Sequence, residues 1–221
     1  MEIRKVTLMT HKLKEMKEFY LNGLGFKLVS DDVSAFTIQA GKSELTFINE
    51  QGVRKPFYHF AFTIPAELFL SAKKWAEKRV KLNRDKGADE VTFNRGRSIY
   101  FEDPAGNIVE FYARNCFHAE ADAFSIDEII EISEINLTVN QVVRTGGVLV
   151  NLGFTHIDEG PLSETSLNFI GSPDVYFLVG PIGRVWFFSD KKAESHPVRV
   201  ELVDRTVVSV DEKGDMVATK Y

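Results

Sequence analysis

One cysteine, Cys116, and two tryptophans are all that the 221 residues carry of those two types. A lone thiol cannot close an internal disulfide, so packing has to hold the fold, and such cysteine usage fits a reducing, cytoplasmic setting. Long apolar runs are absent too. None approaches the ~20 consecutive residues a helix needs to cross a bilayer, and residues 1–6 enter a strand-like pattern with no signal-peptide core. No membrane partner is expected. Basic residues are in the minority, 27 Lys and Arg against 32 Asp and Glu, for a formal net charge of −5. Nucleic-acid affinity depends on basic surface, so nucleic acid is not an expected partner either. Phenylalanine is plentiful, with 18 residues, which suits a sheet-rich core and an aromatic-lined cavity.

The patterning reads as four copies of one unit, each a strand, a helix and three strands. Unit one opens with alternating residues 3–9 and continues with a helical stripe over 13–24, where Leu13, Met16, Phe19, Tyr20 and Leu24 share a face. Gly25 follows in the place of a helix-ending glycine, and strands are expected near 26–30, 34–39 and 44–49. Unit two has a strand at 57–64, a helix at 66–80 introduced by Pro65, and strands near 90–94, 97–102 and 107–113. Its last two strands are joined by the turn Asp103-Pro104-Ala105-Gly106-Asn107. Periodicity lapses over 114–130, which reads as a linker with room for a short helix. Unit three has a strand at 132–139, a helix at 141–151 and strands at 164–170 and 174–179. Unit four is reduced to a strand at 184–188, a short connection at 189–196, and strands at 197–203, 205–210 and 215–220.

Internal repetition supports this division. Leu24-Gly25-Phe26 returns as Leu152-Gly153-Phe154, and the segment 103–110 is echoed, without its acid, by 211–218. The chain therefore reads as a duplication with a decayed second copy: residues 1–113, a linker at 114–130, and a degenerate second domain at 131–221.

Two residues stand apart chemically. His59 lies in Phe57-Tyr58-His59-Phe60-Ala61-Phe62 and Glu110 in Asn107-Ile108-Val109-Glu110-Phe111-Tyr112, each alone among hydrophobic neighbours. An imidazole or carboxylate facing a dry interior is costly unless paired, hydrogen-bonded or bound to a cation. Taken singly, His59 reads as a hydrogen-bonded core histidine and Glu110 as a rim acid satisfied by Arg or Lys. Two such groups on separate strands of one sheet can instead share one ion. Arg95 and Arg97 read as a solvated turn, with anion binding as the alternative. Cys116 reads as structural, and His118, His156 and His196 carry no assigned chemistry.

These residues resemble the vicinal oxygen chelate superfamily, which includes glyoxalase I, bleomycin-binding proteins and extradiol dioxygenases. The resembling pieces are Arg4-Lys5-Val6-Thr7-Leu8, Phe19-Tyr20 with Leu24-Gly25-Phe26, His59-Phe60-Ala61-Phe62, and the run from Phe101 to Phe111. The resemblance implies an α+β fold of tandem βαβββ units, arranged as two domains of open mixed-sheet barrels, the second degenerate. It further implies one divalent cation, held by first-strand and last-strand residues of paired units. His59 falls on the first-strand position of unit two and Glu110 on its last-strand position.

The remaining ligand depends on which units pair. If unit two pairs with unit one, Lys5 takes the other first-strand position, where an ammonium has no lone pair to offer. Glu44 is then the third ligand and candidate base, unless Lys5 pairs with Glu110 and excludes the cation. If unit two pairs with unit three, Glu134 completes the set with His59 and Glu110 and is the candidate base; Asp174 then stands where Glu44 stands in unit one. A mirror site of Lys5, Trp186 and Ala218 could bind no metal. The second arrangement is preferred because it removes Lys5 from a cationic site.

The implied function is a glyoxalase-like metalloenzyme that uses one divalent cation (Mn, Ni, Zn, Mg or Fe) as Lewis acid on a small oxygenated substrate. One histidine with two or more carboxylates suits isomerase, lyase or transferase chemistry. Ring-cleaving dioxygenases of the superfamily hold iron with two histidines and one carboxylate. The alternatives are such a dioxygenase, or a metal-free drug- or antibiotic-binding protein of the same fold. The expected partner is a small-molecule substrate, and the expected state a monomer or homodimer.

Overall fold

The structure is a computed structural model that describes residues 1–158 and 160–221. Its strands are β1 (Ile3–Thr10), β2 (Lys27–Asp31), β3 (Ala35–Ala40), β4 (Ser43–Asn49), β5 (His59–Pro65), β6 (Val91–Phe93), β7 (Gly96–Glu102) and β8 (Ile108–Arg114) in the first half. The second half supplies β9 (Glu131–Val139), β10 (Thr155–His156), β11 (Asn168–Gly171), β12 (Tyr176–Pro181), β13 (Val198–Leu202), β14 (Thr206–Val210) and β15 (Met216–Lys220). Among the described residues three α-helices, α1 (Leu13–Glu18), α2 (Phe69–Glu77) and α3 (Val142–Asn151), lie between first and second strands of the units. Among the described residues no helix is long and apolar enough to cross a membrane.

The elements follow the expected unit order, and their departures have local causes. The first helix relaxes into a π turn at Phe19–Gly23, with the Leu24 amide reaching back to the Phe19 carbonyl, before Gly25 turns the chain at φ +88°. The second helix begins as a 3₁₀ turn at Ala66–Leu68. The linker contains one 3₁₀ turn, Ile126–Glu128.

The strands form two mixed sheets, β15-β14-β13-β1-β4-β3-β2 and β10-β11-β12-β9-β5-β8-β7-β6, and neither closes on itself. Each sheet joins units from both sides of the linker. In the first, β1 runs parallel to β4 and antiparallel to β13. In the second, β5 runs parallel to β8 and antiparallel to β9, and β9 runs parallel to β12. Unit two therefore pairs with unit three, and unit one with what remains of unit four. The division into 1–113 and 131–221 follows the order of units along the chain, but the sheets do not follow it.

Unit four differs from its sequence reading. Residues 184–188 form no strand; their alternation is satisfied by one bridge, Val185 to Lys192, and by docking of Trp186 and Phe188. Gly183 at φ +85° and Phe188 at φ +53° turn the chain at either end. The first strand of unit four is β13, which continues directly into the meander β14–β15 with no helix between. The segment between β12 and β13 is left over as a loop, and it folds across the second sheet.

The sheets are tied together where the linker ends. Ser43 Oγ donates to the Ile3 carbonyl at 2.7 Å and accepts the Ile132 amide at 3.1 Å, joining β1 to β9 through a buried hydroxyl. Beside it, the Lys42 amide bonds the Ile130 carbonyl at 2.8 Å, and the Ile130 amide bonds the Thr63 carbonyl at 2.9 Å. Phe60, Phe62, Phe111, Ile135 and Leu137 of the central strands belong to one apolar core with residues of all three helices. The alternate residues of the same strands face a cavity.

Candidate metal centre

Strand alternation decides which side chains meet. On β5, His59 and Thr63 share a face; on β8, Glu110, Tyr112 and Arg114; on β9, Glu134 and Asn136. Register is set at the strand starts. Asp103 Oδ1 accepts the amides of Ala105 and Asn107 at 3.0 Å each, which fixes the turn into β8. Asn107 Oδ1 accepts the Tyr58 amide at 2.8 Å, and Asn136 Oδ1 accepts the His59 amide at 2.7 Å. His59 is thereby held between the start of β8 and the middle of β9.

His59 Nδ1 lies 3.0 Å from the Ile108 carbonyl oxygen. A carbonyl only accepts, so Nδ1 carries the proton and Nε2 presents its lone pair to the cavity. Nε2 is 3.5 Å from a Glu110 carboxylate oxygen. Burial lowers the imidazole pKa to about 4, with the Arg184 charge acting in the same direction, so the ring is neutral near pH 7. Glu110 consequently has no cation beside it. Burial, and then the nearby Glu134 charge, push its carboxyl up to about 8, against the pull of the Ser98 and Tyr100 hydroxyls.

Glu134 is in a different position. Its Oε1 accepts the Tyr176 hydroxyl at 2.6 Å and Arg114 Nη2 at 2.7 Å. Arg114 is fully buried, donates Nε to Thr63 Oγ1 at 3.3 Å, and lies 3.9 Å over the Tyr112 ring. Burial raises the Glu134 pKa, and the guanidinium and phenol act against that rise. We take the ion pair to be the decisive contact and Glu134 to be ionised.

Donor atoms of His59, Glu110 and Glu134 lie within 4.8 Å of one another, the one such grouping among the described residues. The three fit a divalent cation. Two are acids taken out of water, one of them without a counterion, and the third is a neutral imidazole whose far nitrogen is tied to a carbonyl. Register also shows why there is no fourth donor. Glu110 stands two residues past Ile108, the β8 partner of His59; two residues past Tyr176, the β12 partner of Glu134, stands Leu178. The fourth equivalent position is apolar and faces the cavity.

Glu44 is not brought to this site. It lies on β4 in the other sheet, opposite Lys5, whose Nζ is 3.5 Å from its carboxylate. The same pairing keeps Lys5 away from Glu110. Asp174 lies in the turn before β12, next to Cys116. Trp186 belongs to no mirror site; its ring lies 5.3 Å from that of His59, on the wall of the cavity. Arg114 and Tyr176 were not anticipated at all. Their one sequence signal is alternation: Arg114 continues the series Glu110, Tyr112 past the expected strand end at 113.

The cavity above the three donors has a volume of about 600 Å³. Tyr100, Tyr112, Phe93, Tyr176, Trp186 and Phe187 form most of its walls, and Arg95 and Arg184 reach it from the rim.

Residues 2–111 match the sequence model of the Glyoxalase/Bleomycin resistance protein/Dioxygenase superfamily, and residues 132–184 that of the toxoflavin-degrading enzyme family. No curated protein sequence matches the chain. Among solved structures, a Bacillus subtilis protein described as a proposed dioxygenase is 17% identical, with a TM-score of 0.62 over 99% of this chain and 84% of that one. A lactoylglutathione lyase from Agrobacterium tumefaciens is 20% identical over 50% of this chain and 92% of that one, with a TM-score of 0.41. The oxidase ChaP-H1 is 21% identical over 52% of this chain and 96% of that one, with a TM-score of 0.43.

Proposed function

The chain belongs to the glyoxalase/bleomycin resistance protein/dioxygenase superfamily, and from that premise we propose that it is a metalloenzyme acting on a small oxygenated molecule through a single divalent cation held by His59, Glu110 and Glu134. One observation carries the reading. Glu110 is a buried acid with no cation paired to it: a neutral imidazole, a second acid and the Ser98 and Tyr100 hydroxyls lie around it, and the Arg114 charge, committed to Glu134, acts on it least. A proton or a cation has to balance it, and His59 Nε2 and Glu134 stand where they complete a cation's donor set. When bound, the ion supplies Lewis acidity toward substrate oxygens.

The protein groups divide the remaining work. His59 is a fixed donor, oriented through the Ile108 carbonyl and the Asn136 contact at its amide. Glu134 is an anchored carboxylate: Arg114 and Tyr176 occupy Oε1, leaving Oε2 for the centre. That anchoring disfavours Glu134 as the mobile base expected from sequence. Glu110 has no ion-pair partner anchoring it, so it is the better group to leave the centre, take a proton from carbon or oxygen and return it. The aromatic walls and the loop carrying Trp186 line the cavity in which this exchange takes place. One histidine and two carboxylates favour isomerase, lyase or transferase chemistry over ring cleavage. The match of residues 132–184 to a family named for degrading toxoflavin fits action on a small molecule.

The test is metal analysis of protein purified without chelator, with titration of Mn²⁺ into chelated protein followed by calorimetry. One equivalent should bind, and His59→Ala and Glu110→Gln should each weaken binding by about 10-fold or more. Absence of a stoichiometric site, or binding indifferent to both substitutions, would overturn the reading. The aromatic cavity would then stand for the second one, a metal-free binder of small molecules.

A further inference from the structure

Arg184 is the unexplained group at the cavity. Its guanidinium lies 5.1 Å over the Trp186 ring, on the loop between β12 and β13, and lines the cavity wall. Among the described residues its side chain forms no ion pair and no hydrogen bond, and Nη1 is shielded from water without a partner. Other basic residues near the site are paired or, like Arg95, exposed to solvent. Arg114 pairs with Glu134, Arg97 with Glu90, Lys191 with Glu102, and Arg95 Nη1 bonds the Pro173 carbonyl. A half-buried guanidinium without a counterion is stabilised by an anion brought to it.

Its surroundings say what kind of molecule carries that anion. His59 is flanked by aromatic rings, Trp186 at 5.3 Å and Tyr100 at 6.2 Å between centroids. Tyr100 is itself stacked on Phe188 at 5.0 Å, and Phe93 bridges Tyr112 and Phe187 at 5.8 and 6.2 Å. Walls of this kind favour a flat unsaturated ring, by offset or edge contacts that an aliphatic ring of equal size does not match. A cavity of about 600 Å³ has room for one or two fused rings with substituents.

We infer that the substrate is a planar aromatic anion whose carboxylate or comparable oxyanion is received by Arg184, while its ring lies between the aromatic walls and its remaining oxygens face His59, Glu110 and Glu134. The inference names the substrate class of the proposed metal site and rests on that reading for catalysis, but the binding it describes is made by Arg184 and the walls.

Calorimetry with three probes tests it, run on chelated protein and on Mn²⁺-loaded protein: 2-naphthoate, its neutral counterpart 2-naphthylmethanol, and cyclohexanecarboxylate. We expect 2-naphthoate to bind about tenfold or more tightly than either of the others. Arg184→Ala should remove that advantage over the alcohol without changing the affinity for the alcohol, and Arg184→Lys should restore part of it. Thermal midpoints of both variants check that the fold is intact. Equal affinity for naphthoate and the alcohol, naphthoate binding unchanged in Arg184→Ala, or no binding of any probe overturns the inference. If Arg184-dependent binding persists in protein that takes up no metal, the metal reading falls and this one stands. If one equivalent of metal binds but the probes are not discriminated, the reverse holds.

Discussion

Arg114 Nη2 and Glu134 Oε1 are 2.7 Å apart at the floor of the cavity, with both side chains buried. The pair is the pivot of the site. It keeps one acid ionised in a dry place, so that the second acid, Glu110, is the one still to be balanced by a proton or by a cation the two acids share. It also sets a stability expectation. Removing one partner of a buried pair leaves an uncompensated charge, whereas replacing both by apolar groups is often close to neutral. Arg114→Met should therefore cost roughly 3–5 kcal/mol, and adding Glu134→Leu should recover most of that loss. Urea unfolding of the two variants checks this. A single variant as stable as the parent would mean that Glu134 is not charged.

Stability in the absence of metal should depend on pH in a specific way. Glu110 is raised to about 8 in the folded chain, against about 4.3 in an unfolded one. Between those values the folded state holds a proton that the unfolded state has released, so stability falls as pH rises. His59 acts oppositely. Its pKa is lowered to about 4 by burial, against about 6.5 unfolded, so stability rises with pH up to that point. The two offset each other in the acid range, and from about 6.5 to 8 Glu110 acts alone. The thermal midpoint of chelated protein should drop across that interval. It should stay level in Glu110→Gln, and a drop of equal size in that variant would remove Glu110 as the cause.

Much of this was legible in the sequence, and the reasons for success and failure are local. His59 and Glu110 were visible because each is one polar residue inside an apolar strand. The strands themselves were visible because β1 and β3 to β5 keep a period of two or a continuous apolar run. Pairing of units was not visible in the same way. Which strand lies beside β5 depends on contacts between residues more than 70 positions apart, such as His59 with Asn136, and only the awkwardness of Lys5 pointed to β9. The segment around Trp186 misled because a loop that docks alternate aromatics on a cavity wall carries the same pattern as a strand that docks them in a sheet. Arg114 was missed because a cation ending an apolar strand reads as the solvated end of that strand.

The proximity of Trp186 to His59 supplies a direct readout of metal binding. The only other tryptophan, Trp75, lies on α2 and packs against Phe111 and Phe124 of the core. A paramagnetic ion bound at His59 should quench Trp186 fluorescence while leaving most of the Trp75 emission. Mn²⁺ is therefore expected to quench the parent protein and the Trp75→Phe variant strongly, and Trp186→Phe weakly. Zn²⁺, which is diamagnetic, should compete with the quenching rather than reproduce it. Strong quenching that survives in Trp186→Phe would place the ion elsewhere.

The junction between the sheets makes a last prediction, because it positions Glu134 from a distance. Gly41, in the turn from β3 to β4, has φ +58°, and a Cβ there would lie 2.1 Å from the Ile130 carbonyl oxygen. Backbone cannot yield as a flexible side chain does, so an added methyl group has to push the turn away from residue 130. The push breaks the bond from the Lys42 amide to the Ile130 carbonyl and strains the bond from Ser43 Oγ to Ile3. Gly41→Ala should cost roughly 2–4 kcal/mol. Ile130 leads directly into β9, so the substitution should also displace Glu134 and weaken Mn²⁺ binding, although residue 41 lies in the other sheet. Gly147→Ala is the internal control: it lies in α3, a Cβ there meets nothing within 4 Å, and alanine should stabilise the helix by about 0.5–1 kcal/mol. Chemical denaturation and Mn²⁺ calorimetry on both variants check the pair. If Gly41→Ala lost stability with metal affinity intact, the two sheets would be joined at this point without the junction governing the site.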